Sequence, residues 1–304
     1  MKTLTAMRLH LILLYMVASV VVACSYIDPV EDSSTGNEEG GMTKIAVECQ
    51  AEAQPQQWHF RVVDTNDSTK YLYNESGSVS IEGEMLSVLV YNSDAENIDM
   101  AEDKESNTTT AKAKRTDAIQ LKNGKPVALM PDKLFSEYRE LDPSETYKSI
   151  VLSPESRIKT YPLRLELTTK GAIVTGCKTA LIDGMAESIK LNTLTLSDND
   201  VALAVPLWLD DTLESDGNPT TTAIGRITTF GRATASISCT MFLTIQLENG
   251  AEKTVSIDMT DDIGEETEGH EIVKRVFIDS TDNGGNTFPV TVDERETENT
   301  HVNL

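Results

Sequence analysis

One cysteine, Cys24, has neighbours that predict chemistry at its thiol. It follows Val21-Val22-Ala23, so a small residue lies directly before it and an aliphatic residue lies three positions before it. This pattern resembles the bacterial lipobox, in which the chain is cleaved before the cysteine and the thiol carries a lipid. We therefore predict cleavage between Ala23 and Cys24 and a lipid, such as palmitate, on Cys24. The alternative is an ordinary signal peptide that ends near a cysteine.

The residues before Cys24 have the layout of a signal peptide. Basic Lys2 and Arg8 come first, and a mostly apolar run over residues 9–22 follows them. That run is shorter than the roughly 20 residues with which a helix crosses a bilayer. Residues 1–23 are thus predicted to be a lipoprotein signal peptide and not a permanent transmembrane anchor.

Residues 24–43 are predicted to be a flexible acidic tether. They are polar, contain several carboxylates and end just after Gly40-Gly41, so they cannot bury enough apolar surface to fold. From residue 25 to residue 43 there is no lysine or arginine. The first basic residue after the signal is Lys44, and the first arginine is Arg61. A protease specific for arginine or lysine therefore has no site in the tether.

Patterns typical of catalysis are missing from the sequence. It contains no Gly-x-Ser-x-Gly, no His-Glu-x-x-His and no phosphate-binding glycine loop, and His59 alternates with apolar neighbours on a predicted strand. Two acidic clusters could hold calcium, although their spacing differs from the calcium-loop pattern and acidic turns explain them more simply. These clusters are Asp258, Asp261 and Asp262, and Asp279, Asp282 and Asn283. We expect no catalytic residue, no metal and no cofactor.

Three cysteines remain besides Cys24, and they can form at most one disulfide. A bridge between Cys177 and Cys239 is possible in an oxidising compartment. Cys239, however, lies in an alternating apolar strand, where a buried free thiol is the commoner state. The sequence favours buried thiols and leaves the bridge open.

The composition excludes one class of partner and weakens another. With 26 basic against 49 acidic residues, the net charge is −23, whereas nucleic-acid binding requires a basic face. Aromatic residues, which stack on sugar rings, make up only 5% of the chain, and Trp58 and Trp208 both fall on strands that look like core. A surface glycan-binding lipoprotein is therefore the alternative interpretation and not the leading one.

Alternating side chains predict an all-β fold. Apolar residues occupy every second position over residues 237–247, Asn249-Gly250 then supplies a tight turn, and residues 255–259 alternate on the return. Other short runs of this kind are separated by turn residues, as in β-sandwiches. Runs of this type cover residues 45–49, 58–63, 70–73, 85–91, 163–168, 172–182, 201–209, 272–278 and 287–292.

Three segments depart from this strand pattern. Residues 132–141 are the best helix candidate, with Asp132 as a possible cap. Residues 94–118 read as an exposed loop, which makes Arg115 a candidate protease site. Residues 141–156 contain two prolines and read as the connection between two domains. Because the mature length exceeds what one core usually serves, we predict two domains, residues 44–148 and 149–304.

Several motifs occur in an order that resembles the fimbrillin-associated anchor family of surface lipoproteins. They lie at residues 86–92, 180–188, 229–231 and 247–261. The resemblance implies two tandem transthyretin-like, immunoglobulin-like β-sandwich domains and a lipid-anchored, surface-exposed place in the outer membrane. It also implies fimbrial structural subunits as partners, joined by strand addition. Shaft subunits of this kind lose an N-terminal strand to an arginine-specific protease, so a tether without basic residues favours an anchor or accessory subunit.

Overall fold

The computed structural model describes residues 42–51, 55–66, 68–119, 121, 124–215, 217–264, 267–279 and 291–293. Cys24, the signal peptide and most of the tether lie outside these residues. The described part of the chain consists of 23 strands with turns between them and contains no helix, which confirms the all-β class. No segment of that part could cross a membrane as a helix. In chain order the strands are β1 (Met42–Val47), β2 (Trp58–Asp64), β3 (Thr69–Asn74), β4 (Ser78–Glu82), β5 (Met85–Asn92), β6 (Ile98–Asp103), β7 (Thr108–Ala113), β8 (Arg115–Thr116), β9 (Val127–Leu129), β10 (Phe135–Glu140), β11 (Ser149–Leu152), β12 (Glu155–Ser156), β13 (Lys159–Lys170), β14 (Val174–Ala186), β15 (Ser188–Lys190), β16 (Thr195–Leu196), β17 (Asp200–Ala204), β18 (Leu207–Ser215), β19 (Asn218–Thr229), β20 (Thr240–Leu247), β21 (Glu252–Asp258), β22 (Ile272–Asp279) and β23 (Thr291–Asp293).

Two sheets enclose the first hydrophobic core. One has the strand order β11-β1-β4 and the other β12-β10-β5-β2-β3. Successive side chains of a strand point to opposite faces, so Trp58, Phe60 and Val62 of β2 share one face and lie in this core. Ile45 of β1 and Leu152 of β11 meet them from the other sheet, and both are fully buried.

A larger core lies between sheets with the orders β18-β19-β13-β22-β23 and β21-β20-β14-β17-β9-β8, and the sheet β16-β15-β7-β6 adds to it. The predicted hairpin is confirmed as β20 and β21, which pair from Thr240 with Asp258 to Gln246 with Glu252. Gly250 has φ of 80°, the left-handed conformation that glycine adopts without strain. The predicted first strand starts too early, because Ile237 precedes β20 and is 90% exposed.

Strands from either side of position 149 pair with one another. β7 pairs with β15 and β9 with β17, whereas β11 and β12, which begin at or after position 149, pair with β1 and β10. All of the described residues belong to one compact unit by their contacts. The division into domains at residues 44–148 and 149–304 stays a prediction.

The helix predicted over residues 132–141 is wrong. The segment contains β10, which pairs with β5 from Ser136 opposite Tyr91 to Glu140 opposite Ser87. Lys133, next to the supposed cap, has φ of 56°, which is incompatible with the first turn of a right-handed helix. Pairing with a buried central strand therefore decides the structure here, and the short local pattern does not.

Two segments predicted to be irregular also contain strands. Residues 94–118 hold β6, β7 and β8, and Ala111 and Ala113 of β7 are buried in the larger core. Residues 141–156 hold β11 and β12. Alanine and threonine give a weak hydrophobic signal. A strand that packs against the core through such small side chains therefore has a sequence pattern like that of a polar loop.

Candidate functional site

The first strand, β1, is the middle strand of its sheet. It runs parallel to β11, with Lys44 opposite Ser149 and Val47 opposite Leu152. On its other side it runs antiparallel to β4, with Met42 opposite Glu82. We call the position between β11 and β4 that this strand occupies the β1 slot. A strand seated there satisfies backbone donors and acceptors on both of its sides.

Side chains of β1 alternate between the core and the surface. Thr43 and Ile45 are buried, whereas Met42 is 64% exposed and Lys44 is exposed as well. The Thr43 hydroxyl donates a hydrogen bond to the Tyr147 backbone carbonyl at 2.6 Å. Burying an aliphatic side chain the size of Ile45 contributes about 1.5–3 kcal/mol. The β1 slot thus combines two backbone ladders with pockets for alternate side chains, the geometry by which sheets bind an added strand.

The first basic residues after the tether lie inside strands. Lys44 is paired on both sides within β1. Arg61 in β2 is 2% exposed, donates to the Asn107 carbonyl at 3.1 Å and lies with its Nε 3.6 Å from a carboxylate oxygen of Glu102. Cleavage after either residue would require the strand to leave its sheet.

Arg115 begins the short strand β8, opposite Ala128 of β9, and does not lie in a loop. Its guanidinium is 2.6 Å from the Glu187 carboxylate, and the Lys112 ammonium is 3.1 Å from the same oxygen. Glu187 is 4% exposed, so these two cations compensate a charge that would be costly to bury alone. The Arg115 side chain remains 54% exposed, and its role as a protease site stays a prediction.

Cys177 and Cys239 are free thiols and form no disulfide with one another. Cys239 is fully buried, and its burial raises the pKa of its thiol to about 12. Burial also raises the pKa of the Cys177 thiol. Both thiols are therefore protonated and weakly reactive at neutral pH, as expected for cysteines that serve as core side chains.

The acidic cluster at the end of β21 forms a turn. Asp258 accepts hydrogen bonds from the Thr260 hydroxyl at 2.6 Å and from the Thr260 amide at 2.9 Å, and these bonds lower the pKa of Asp258. Asp262 pairs with Lys274 at 2.7 Å. Among the described residues, no three acidic, histidine or cysteine side chains are grouped as metal ligands. Most of the second acidic cluster, including Asp282, lies outside those residues.

A group of polar aromatic side chains lies on β2, β3 and β5. Pairing places His59 of β2 between Tyr73 of β3 and Tyr91 of β5. The His59 and Tyr73 rings are 4.0 Å apart between centroids and nearly perpendicular. The His59 Nδ1 is 3.3 Å from the Tyr91 hydroxyl, which donates to Glu102 at 3.4 Å. Burial lowers the pKa of His59 and raises that of Tyr91, so both groups are neutral at pH 7.

The two tryptophans have opposite environments. Trp58 is 4% exposed and lies in the first core, as predicted. Trp208 is 54% exposed, so its predicted core position is wrong. It lies on the edge strand β18, where Leu207 and Leu209 pack against the larger core and Trp208 between them points away from it. An alternating pattern shows that a strand has an apolar face and a second face, but it does not show which residues pack against the core.

Several solved structures are similar to this chain. A suggested adhesin from Bacteroides ovatus is 16% identical, with a TM-score of 0.54 and coverage of 75% of this chain and 85% of that chain. The fimbrial anchor protein Mfa2 from Porphyromonas gingivalis is 12% identical, with a TM-score of 0.44 and coverage of 78% and 90%. A fimbrial assembly protein from Parabacteroides distasonis is 11% identical, with a TM-score of 0.31 and coverage of 83% and 98%.

The similarity to the Bacteroides ovatus protein is a similarity of fold. It confirms the predicted β-sandwich class, which is the fold that the resemblance to the anchor family implied. No curated protein matches the chain. A family profile described as "Domain of unknown function (DUF5119)" matches residues 51–206, about half of the sequence. The match includes β2 to β17, and the chain belongs to this DUF5119 family.

Proposed function

We propose that this protein is a non-enzymatic cell-surface lipoprotein that joins a fimbrial polymer to the outer membrane as an anchor or accessory subunit. The lipid on Cys24 attaches it to the membrane, and strand addition at a sheet edge attaches the polymer. The observation that carries the proposal is the β1 slot, which is filled by a strand that begins at Met42, within the last two residues of the predicted tether.

The position of β1 links membrane attachment to the fold. In shaft subunits of the family that the sequence resembles, removal of the first strand opens a groove for a neighbour. Here, residues 25–43 contain no lysine or arginine, Lys44 is paired within β1 and Arg61 is buried. Proteolysis at basic residues therefore leaves Cys24 and β1 on the same chain. A subunit that keeps both can hold a polymer without becoming part of its shaft.

Membrane fractionation tests the lipid attachment. Cys24→Ala should move the protein from the membrane fraction to the soluble fraction, while Cys49→Ala, which removes a different cysteine, should leave it in the membrane. Retention of the Cys24→Ala protein in the membrane would contradict the attachment through this thiol.

Electron microscopy of cells without the gene tests the anchor role. Fimbriae should be released into the medium or become longer, and the wild-type gene should restore them whereas the Cys24→Ala gene should not. Fimbriae of unchanged length and attachment would overturn the proposal.

A new basic residue in the tether tests the significance of its composition. Asn37→Arg creates a site for an arginine-specific protease, and Asn37→Gln is the matched control. Treated cells should release the arginine variant and keep the control. Equal release of the two variants would show that the tether composition does not protect the attachment.

A further inference from the structure

A small polar indentation lies at the end of the β2-β3-β5 sheet. It has a volume of about 200 Å³, and Trp58 contributes to its wall. This volume is below the roughly 300–1,000 Å³ of sites for drug-sized ligands, so it suits one ring of a larger molecule. The remaining lining residues are Gln57, His59, Tyr73, Asn74, Glu75 and Ser93.

One side of the indentation is an exposed aromatic ring. Tyr73 is 68% exposed, which is unusual for a large side chain within a strand. Its perpendicular contact with His59 orients the ring and can cover no more than one of its faces. His59 is itself held by its contact with the Tyr91 hydroxyl. A side chain whose aromatic ring is already oriented before a ligand arrives loses little conformational entropy on binding.

Hydrogen-bonding groups surround this ring. Ser93 donates from its hydroxyl to the Gln57 side-chain carbonyl at 3.1 Å, which positions the Gln57 amide. The Asn74 side-chain carbonyl accepts from the Ser76 amide at 2.5 Å, so its orientation is fixed as well. Within the described residues, no hydrogen bond engages the Asn74 Nδ2. Together with the Glu75 carboxylate, these groups present both donors and acceptors beside an aromatic face.

We propose that this indentation binds a neutral sugar ring of a surface glycan. A pyranose has apolar C–H groups on its faces, which stack on an aromatic ring, and hydroxyl groups at its rim, which pair with amides and carboxylates. The chain carries a net charge of −23, and Glu75 lines the site, so acidic sugars and phosphates are disfavoured. The fimbrial role does not require this site, and the two proposals stand or fall separately.

A glycan array tests the proposal with the purified mature chain carrying Cys24→Ser. The array displays oligosaccharides that end in neutral hexoses or N-acetylhexosamines, together with sialylated and sulfated counterparts. We expect binding to neutral structures and weaker binding to their acidic counterparts. The dissociation constant for the methyl glycoside of the preferred terminal sugar is then measured by calorimetry.

Paired tyrosine variants locate the binding site. Tyr73→Ala should weaken binding by about tenfold or more, because the stacking face is lost, whereas Tyr73→Phe should bind within about threefold of the wild type. Tyr71→Ala is the matched control, since Tyr71 lies two residues away on the same strand and does not line the indentation. It should bind like the wild type. Thermal unfolding of each variant shows whether it is folded.

Three outcomes would overturn the proposal. The first is no binding of the wild-type chain to any neutral glycan on the array. The second is binding confined to acidic glycans. The third is an equal loss of glycan binding in the Tyr73→Ala and Tyr71→Ala variants when both are folded. Because these measurements use purified protein, none of them depends on the outcome of the membrane and fimbria experiments.

Discussion

The first and last strands of the described chain, β1 and β23, are held in different ways. β1 is paired along most of its length with a strand on each side. β23 is the three-residue strand Thr291–Asp293, and it pairs only with residues 275–277 of β22 at the edge of its sheet. A central strand joins its neighbours into one sheet, whereas an edge strand extends a sheet that is already formed. The described chain is therefore held more firmly in its sheet at β1 than at β23.

Deletion of each strand tests this comparison most strongly. Removal of residues 42–47 should prevent cooperative folding, because β11 and β4 lose their common partner and Ile45 leaves the core. A chain that ends at residue 290 should still fold. Circular dichroism and urea unfolding measure both effects. Cooperative unfolding of the first deletion, or loss of folding in the second, would reverse the comparison.

A single substitution in β1 should have a smaller effect on stability than deletion of the strand, although the effect should still be large. Ile45→Ala should lower the free energy of unfolding by about 2–5 kcal/mol, because Ile45 is fully buried and its truncation leaves a cavity. Met42→Ala on the same strand is the control, since Met42 is 64% exposed, and its effect should stay within about 0.5 kcal/mol. Urea unfolding measures both. Equal effects would show that the inward side of β1 is not packed as described.

One side-chain hydrogen bond of β1 should contribute about 1 kcal/mol. Thr43→Val keeps the shape of the side chain but leaves the Tyr147 carbonyl without the hydroxyl donor, so stability should fall by about that amount. Thr254→Val on the edge strand β21 removes a hydroxyl from an exposed pair with Thr244 and should cost less. If both substitutions had the same effect in urea unfolding, the distinction between central and edge strands would lose support.

The smallest effect concerns acid titration of turns near the two regions. Hydrogen bonds from Ser144 lower the pKa of Asp142, in the turn before β11, and hydrogen bonds from Thr260 lower the pKa of Asp258, after β21. Because the folded-state pKa is lowered, each turn is stabilised at neutral pH and loses this support as the pH falls through that pKa. Ser144→Ala should raise the pKa of Asp142, and Thr260→Val that of Asp258. Carboxyl chemical shifts followed by NMR from about pH 2 to 6 measure these pKa values. An equal pKa in each variant and in the wild type would show that these bonds are absent in solution.

Local patterns predicted the elements that depend on local chemistry. The hairpin of β20 and β21 was predictable because large apolar residues alternate over its strands and Asn249-Gly250 favours a tight turn. The sequence does not predict β7, because alanine and threonine fill its inward positions, as at Ala111. The sequence of β10 predicts a helix because its pattern is short, and its partner β5 lies more than 40 residues away in the sequence for every pair.

The candidate sites depend on long-range register, which one sequence does not reveal. Tyr147, the partner of Thr43, is 104 residues away along the chain. His59 meets Tyr73 and Tyr91 only because β2 lies between β3 and β5 in a particular register. A shift of one residue would place these side chains on the opposite face of the sheet. The sequence could therefore identify Cys24 and its tether as features, but not the β1 slot or the aromatic group.

The central place of β1 has a mechanical consequence for a protein attached through its tether. Backbone hydrogen bonds in a sheet lie roughly across the strands, so a pull along β1 loads both of its ladders in shear. Bonds loaded in shear resist together, whereas an edge strand peeled from one end loses its bonds one after another. If the protein anchors a fimbria as proposed, a pull on the tether would thus meet its strongest resistance at β1. The first part of the fold to yield should lie elsewhere, among strands with a single neighbour.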